Sequence, residues 1–215
     1  MSEKNFVTFI DFGSSKIRIG VFDNNFSKNI LFYEKNCISN LNSNSFDLDN
    51  SKQIIQELVQ SSEKELGFHI NVVNLMIDTS DLFSIDLSIK KNFEGKQVNT
   101  DDIKYLLQEA KQLIQKNNFD KKIIHIILKQ LIFDEKILYS IPTEVIDCDH
   151  LTLEIKFLCS YNLIFEQLIN YFKENHISIN QILCSSYIKS VNYNQLFKNY
   201  NKKVFLDIGY KKSCL

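Results

Sequence analysis

Two short motifs near opposite ends of the 215-residue chain hold the side chains best suited to phosphate chemistry. Each is an apolar strand pattern that runs into Asp-x-Gly, at residues 9–13 and again at residues 205–209. A buried strand that ends in an aspartate and a glycine turn can direct a carboxylate and backbone N–H groups to one point, which suits a phosphate with bound Mg²⁺. Two such turns facing each other would hold a nucleotide's phosphates from both sides, although a single Asp-x-Gly also occurs in ordinary hairpins.

Composition and charge restrict the classes of partner. The chain has 25 basic and 26 acidic residues and a net charge of -1, so no basic face for nucleic acid is expected.

Its five cysteines form no Cys-x-x-Cys pair, which is typical of reduced thiols in a cytoplasmic protein. The sequence shows no signal-peptide pattern and no apolar run of the roughly 20 residues needed to cross a bilayer. We therefore expect a cytoplasmic chain.

The elements that must position the first turn follow from hydrophobic periodicity. Short apolar runs and alternation of apolar with polar residues predict strands, and an Asn-, Ser- and Asp-rich stretch predicts a surface loop. A helical period begins where Ser51 can cap it and ends at Gly67. In order, the predicted elements are strands at 6–11, 16–23 and 30–33, a loop at 36–50, a helix at 51–67 and a strand at 72–77.

A second unit is predicted to begin near Asp81. Its clearest element is a helix at 100–116, which Asn99 or Thr100 can cap and whose apolar stripe includes Ile103, Leu107 and Leu113. Strands are predicted on both sides of this helix, at 82–89, 122–128, 131–139 and 151–159. The first unit then resumes with a helix at 163–172, a strand at 177–184, a helix at 187–200 and a strand at 203–207.

The pair of turns resembles the phosphate 1 and phosphate 2 loops of the actin/Hsp70/sugar-kinase superfamily. The order of elements is most similar to its FtsA branch of bacterial cell-division proteins, supported by the helix start at 98–103 with Ala110 and by the strand at 122–127. This resemblance implies an α/β fold: an actin-like (ribonuclease H-like) subdomain 1A with a mixed sheet, residues 1–80 and 161–215. An inserted α+β SHS2 module, also called 1C, would occupy residues 81–160.

The resemblance also implies ATP and Mg²⁺ as cofactors and a role for each turn. The first turn would contact the β- and γ-phosphates, the second would close the clamp, and an aspartate from each would hold Mg²⁺ through water. The implied cofactor-binding residues are Asp11, Gly13, Ser14, Ser15, Lys16, Asp207 and Gly209, with Asp11 and Asp207 at the metal. After Gly209 the family usually has further glycine and then threonines, whereas this chain has Tyr210 and Lys211, whose bulk would impede a close approach of phosphate.

For function, the resemblance implies an FtsA-like cell-division protein that acts through protein contacts in divisome and Z-ring assembly. Its partners would be other division proteins, FtsZ and further copies of the chain, at the cytoplasmic face of the inner membrane at the division site. The part of the family that supplies the adenosine pocket and the FtsZ surface follows phosphate 2, so the chain is expected to correspond to the N-terminal half. We therefore expect no catalytic residue and at most a weak ATPase activity, and we expect His125 to be structural.

Three other interpretations remain open from sequence. The chain could be an actin-superfamily ATPase or a sugar-type kinase, although no constellation of base and nucleophile is visible. It could be a pilus-assembly protein of the same branch, which shares the fold and the inserted module and would bind a short peptide from a membrane partner. It could also be a degenerate fragment that binds no nucleotide.

Overall fold

The computed structural model describes residues 6–13, 15–25, 28–37, 48–78, 81–197, 203–209 and 213–214. The chain forms two compact units, Met1–Asp81 with Leu163–Leu215 and Leu82–Asn162. The first unit begins with β1 (Phe6–Phe12), β2 (Lys16–Asp23), β3 (Asn29–Asn36), α1 (Leu48–Leu66) and β4 (Val72–Ile77). The chain continues with β5 (Phe83–Asn92), β6 (Gln97–Val98), α2 (Thr100–Asn117), β7 (Lys121–Phe133), β8 (Lys136–Leu138), β9 (Ile146–Asp147) and β10 (His150–Tyr161). It ends with α3 (Asn162–Glu174), β11 (Ser178–Cys184), α4 (Ser185–Leu196), β12 (Asp207–Ile208) and β13 (Ser213–Cys214).

The first unit is built on a five-stranded mixed sheet in the order β11-β4-β1-β2-β3. The strands β1, β4 and β11 are parallel, whereas β1, β2 and β3 form antiparallel hairpins. Ile10, Ile19 and Leu75 are almost completely buried in this sheet, and the Phe172 ring of α3 meets Phe12 edge to face. The predicted α/β class with a mixed sheet is thus confirmed.

The second unit is an antiparallel sheet in the order β5-β10-β7-β8, with α2 on one face. The helix begins with a capping box: Asn99 Oδ1 accepts from the backbone N–H of Asp101 and Asp102, and Asp102 accepts from the Asn99 N–H. The predicted cap at Asn99 is therefore present. Ile103, Leu106 and other stripe residues are buried, but Leu113 is exposed, so the apolar stripe is narrower than the sequence predicted.

Several predicted elements have other bounds in the structure, among them the helix predicted at 187–200, which is Ser185–Leu196, and three further differences have a clear cause. The strand predicted at 203–207 is confined to Asp207–Ile208, because its partner is the short β13 and not an edge of the five-stranded sheet. The strand predicted at 131–139 is interrupted by a turn in which Asp134 has φ 52°, so that β7 ends at Phe133 and β8 follows as its hairpin partner. Helix α1 begins at Leu48 and not at Ser51, because Leu48 is buried in the unit. The rest of the predicted loop, 38–47, lies outside the described residues.

None of the helices among the described residues is both long enough and apolar enough to cross a membrane.

Candidate functional site

The candidate site lies at the edge of the first unit's sheet where three parallel strands end. The register places Phe12 of β1 and Cys184 of β11 on either side of Ile77 of β4. The residues that follow these strands therefore emerge together, and among them are Asp78 and Ser185. Ligands of open α/β sheets bind beyond such carboxyl ends, so this edge is where the fold itself favours a site.

Asp11, one of the predicted phosphate-turn residues, is oriented at this edge by two donors. The Ser185 hydroxyl donates to Asp11 Oδ1 at 2.7 Å, and Arg18 Nη1, on the neighbouring strand β2, donates to Asp11 Oδ2 at 3.1 Å. The Asp11 side chain is 18% exposed, so the pair with Arg18 is partly shielded from water. Asp11 is therefore a fixed carboxylate that faces the start of α4.

Asp207, the corresponding residue of the second turn, reaches the same helix. It accepts from the Ser186 hydroxyl at 3.0 Å and from Lys189 Nζ at 3.0 Å. Burial by itself would raise the pKa of Asp207, but the hydrogen bonds from Lys189 and Ser186, together with the Lys189 charge, outweigh burial and lower the pKa. Asp207 therefore stays ionised at neutral pH.

Asp78 completes the cluster, and sequence reasoning did not identify it. The Ser186 hydroxyl is within hydrogen-bond distance of Asp78 as well as of Asp207, and the Cys214 thiol lies 3.7 Å from Asp78 Oδ1. Ser185 and Ser186, which are adjacent at the first turn of α4, thus connect the carboxylates of both Asp-x-Gly turns. The positive end of the α4 dipole favours this concentration of negative charge.

The first turn itself is arranged differently from the prediction. The Gly13 N–H, expected to face phosphate, donates to the Lys16 carbonyl at 3.0 Å, and a Cβ on Gly13 would lie 2.7 Å from that oxygen. The glycine is therefore required to close the hairpin. Lys16 forms an ion pair with Glu34, and the hydrogen bond from Lys16 lowers the pKa of Glu34. A phosphate at this turn would have to take Lys16 from Glu34.

The remaining predicted site residues lie at exposed positions or outside the described part of the chain. Ser15 is exposed, and its carbonyl accepts from the Cys37 N–H at 2.8 Å. Gly209 is exposed and follows Ile208, which is 74% exposed. Ser14 and Tyr210–Lys212 lie outside the described residues. The structure therefore brings together Asp11 and Asp207, through Ser185 and Ser186, but not Lys16.

The donor set fits a hydrated Mg²⁺ better than a directly bound one. Among the described residues, no group of three or more His, Cys, Asp or Glu side chains is placed to hold a metal ion. Asp11 and Asp207 each accept hydrogen bonds from protein donors, and a carboxylate held in this way can also accept from a water of the metal ion. Mg²⁺ usually keeps several of its waters and is held by one or two carboxylates together with phosphate oxygens.

Comparison with known proteins identifies the fold. No protein-family model and no curated protein matches the chain. A solved structure described as the PilM-PilN type IV pilus biogenesis complex matches over 94% of this chain and 54% of its own, with a TM-score of 0.62 and 7% sequence identity. The cytoplasmic domain of EpsL, an inner membrane component of the type II secretion system of Vibrio cholerae, covers 84% of this chain and 56% of its own at 10% identity, with a TM-score of 0.36.

The match to the PilM-PilN complex shows an actin-like α/β fold. The chain spans about half the length of the two solved chains. Neither of these structures is described as a cell-division protein. At 7% identity, the PilM-PilN match establishes the fold alone.

Proposed function

We propose that the chain is an actin-like component of a pilus-type or secretion-type assembly, in which it acts through protein contacts. The observation that supports this function is the likeness to the PilM-PilN complex over 94% of the chain. The partner would be a PilN-like protein that offers a short peptide from the membrane. The second unit would be the SHS2 module at residues 81–160, inserted into subdomain 1A at 1–80 and 161–215.

An FtsA-like role in cell division remains the alternative. It would make FtsZ and other division proteins the partners and the division site the location. The features that favoured it from sequence, the two turns and the inserted module, belong equally to the pilus branch of the superfamily. The comparisons thus give the division role no support of its own, whereas the pilus role has a structural neighbour.

Deletion of the gene in its source organism separates these two roles. We expect loss of surface pili or of a secreted protein, with cell length unchanged. Restoring the chain from a plasmid should restore the appendage, which excludes effects on neighbouring genes. Filamentous cells with normal pili and secretion would contradict the pilus proposal and favour the division role.

We further propose that Mg-ATP binds at the strand-end site. When bound, Mg-ATP would supply the cation that neutralises both the carboxylates of the two turns and the phosphates of the nucleotide. Ser185 and Arg18 would hold Asp11, and Ser186 and Lys189 would hold Asp207, so that both carboxylates can orient waters of the metal ion. A scaffold that binds no nucleotide is the second candidate, favoured by the pairing of Lys16 with Glu34.

Titration calorimetry with Mg-ATP tests the site. We expect the wild-type chain to bind and both Asp11→Asn and Asp207→Asn to bind at least about tenfold more weakly, because each removes one charge from the metal's surroundings. Asp147→Asn, an exposed position in the second unit, is the matched control and should bind like wild type. Absence of binding by the wild-type chain would favour the scaffold that needs no nucleotide, and would leave the pilus proposal to the deletion experiment.

A further inference from the structure

The antiparallel sheet of the second unit has two edges, which differ in how well they are protected against pairing with a strand of another chain. One edge, here called the β7 edge, is formed by β8, which covers the final residues of β7, and by the rest of β7, whose register with β10 shifts twice, so that Ile124 and Lys129 have no counterpart on β10. Bulges and short covering strands are devices that prevent a sheet edge from pairing with another chain. The β7 edge is therefore a protected edge.

The opposite edge, β5, lacks these devices. Its ten residues pair with β10 in unbroken register, from Phe83 with Cys159 to Asn92 with His150, and no described strand pairs with its other side. Its sequence contains no proline. Three charged side chains lie on the strand: Asp86, which pairs with Lys156 of β10 at 2.9 Å and lies 3.6 Å from Lys129 of β7, and the exposed Lys90 and Lys91 near its end.

The side chains of β5 alternate between half-buried and exposed from Phe83 to Lys90. Ile85, Leu87 and Ile89 are half-buried and pack against the α2 core, whereas Ser84, Asp86, Ser88 and Lys90 are exposed on the other face. The half-buried residues are covered on the β10 side but not beyond the edge. A further strand beside β5 would therefore bury additional apolar surface in the same core.

The backbone of β5 presents hydrogen-bonding groups outward at alternate residues. The Phe93 N–H donates to the Asp149 carbonyl at 2.7 Å, which extends the β5–β10 register by one pair. Because hydrogen-bonded pairs alternate in an antiparallel ladder, the odd-numbered residues face β10. The N–H and C=O groups of the even-numbered residues, Ser88 among them, therefore point away from the sheet.

We propose that two copies of the chain associate by antiparallel pairing of their β5 edges, with the twofold axis at Ser88. This register places Asp86 of each copy opposite Lys90 of the other and Leu87 opposite Ile89. Centring the pair on Leu87 would place Asp86 and Lys90 opposite serines, and centring it on Asp86 would place the two aspartates opposite each other, so that neither register pairs Asp86 with a cation of the other copy. A shift by a single residue would put apolar side chains opposite polar ones.

The side chains of β5 are thus complementary to those of a second, antiparallel β5, and a second copy of the chain is therefore the partner that we propose for this edge. Its own Asp86 and Lys90 are complementary when the strand is reversed, and its Leu87 and Ile89 meet on the helix-covered face. The interface consists of one strand pair, which is smaller than the roughly 1,600 Å² of a standard stable interface. The dimer is therefore weak and forms in a concentration-dependent manner. This proposal does not depend on the pilus role or on nucleotide binding.

Sedimentation velocity of the full chain over a range of concentrations tests the proposal. We expect a monomer–dimer equilibrium for wild type and about a tenfold higher dimer dissociation constant for Ser88→Pro, which removes an outward N–H at a position where edge strands tolerate proline. Ser88→Ala keeps the N–H and is the matched control, with the wild-type dissociation constant. Far-UV circular dichroism verifies that the variants are folded.

Lys90→Glu provides a second variant that alters an exposed side chain alone. It places a glutamate opposite Asp86 of the other copy, so we expect about a fivefold higher dissociation constant. Weakening by both Ser88→Pro and Lys90→Glu, but not by Ser88→Ala, would support the proposal. A wild-type chain that stays monomeric at every concentration, or a dimer unaffected by both variants, would overturn it.

Discussion

The two Asp-x-Gly turns of this chain share a local sequence and differ in what supports them. In the first, Ile10 and Phe12 are 1% and 3% exposed, because β1 lies inside the five-stranded sheet. In the second, the corresponding Leu206 and Ile208 are 55% and 74% exposed, because β12 pairs with the two-residue β13 alone among the described strands. Yet both aspartates reach adjacent serines at the start of α4.

This difference shows that the position of the aspartate in such a motif and the burial of its apolar neighbours have separate causes. The carboxylates converge because Ser185 and Ser186 are neighbours on one helix, whatever the strand behind each aspartate does. The apolar residues, by contrast, become a strand of the core where a neighbouring strand exists to receive them. The first turn is therefore part of the stable core, and the second depends on contacts of its polar side chains.

The largest expected effect comes from truncating the apolar residue before each aspartate. Ile10→Ala should lower the free energy of unfolding by about 3 kcal/mol, since it leaves a cavity in the sheet. The matched Leu206→Ala should lower it by less than about 1 kcal/mol, because much of that side chain is already in water. Urea denaturation measures both values, and equal losses would show that the second turn is as well supported as the first.

A methyl group at the glycine of the first turn should have the next largest effect. Gly13→Ala places a carbon 2.7 Å from the Lys16 carbonyl oxygen, a backbone atom that cannot move without opening the hairpin. We expect a loss of about 1–3 kcal/mol in the free energy of unfolding. Ser15→Ala, at an exposed position of the same turn, should stay within about 0.5 kcal/mol, so a similar loss in both variants would contradict the steric explanation.

The contribution of Asp207 should depend on pH. Its pKa is lower in the folded than in the unfolded chain, so its stabilisation is present above the ordinary value of 3.8 and disappears as pH falls through the folded pKa. Asp207→Asn should therefore cost about 1 kcal/mol at pH 7 and progressively less below pH 3.8. Urea midpoints measured at several pH values test this. A difference between wild type and Asp207→Asn that stays constant with pH would exclude an ionic role.

Much of both units could be predicted from sequence because the signals are local. An apolar run located β1, alternation located β2, and the capping residues located the start of α2. The strand expected at 203–207 was wrong because local alternation does not reveal whether a partner strand exists. A segment becomes a strand of a sheet only when it has the alternating pattern and a neighbouring strand is present to pair with it.

The missed residues of the candidate site have a common physical explanation. Asp78, Ser185 and Ser186 are unremarkable in sequence, and 108 residues separate Asp78 from Ser186. They meet because β4 and β11 are parallel neighbours. A signal did exist: Asp78 and Ser185 follow directly after predicted strands, and parallel strands bring their carboxyl ends to one edge. Applying that rule would have added these residues to the site.

The smallest expected effect on stability, and the one that bears most directly on the first turn, comes from Glu34. Glu34→Gln removes the charge that pairs with Lys16 and with Arg18. Both ion pairs are exposed, so we expect no measurable change in the urea midpoint. It should raise the affinity for Mg-ATP several-fold, because Lys16 is then free to reach phosphate. Lys35, on the same strand, pairs with Glu57, and Glu57→Gln is the matched control, which should leave the affinity unchanged. Equal Mg-ATP affinities of wild type and Glu34→Gln in titration calorimetry would show that Lys16 does not contact the nucleotide, and would leave Asp11 as the contribution of the first turn.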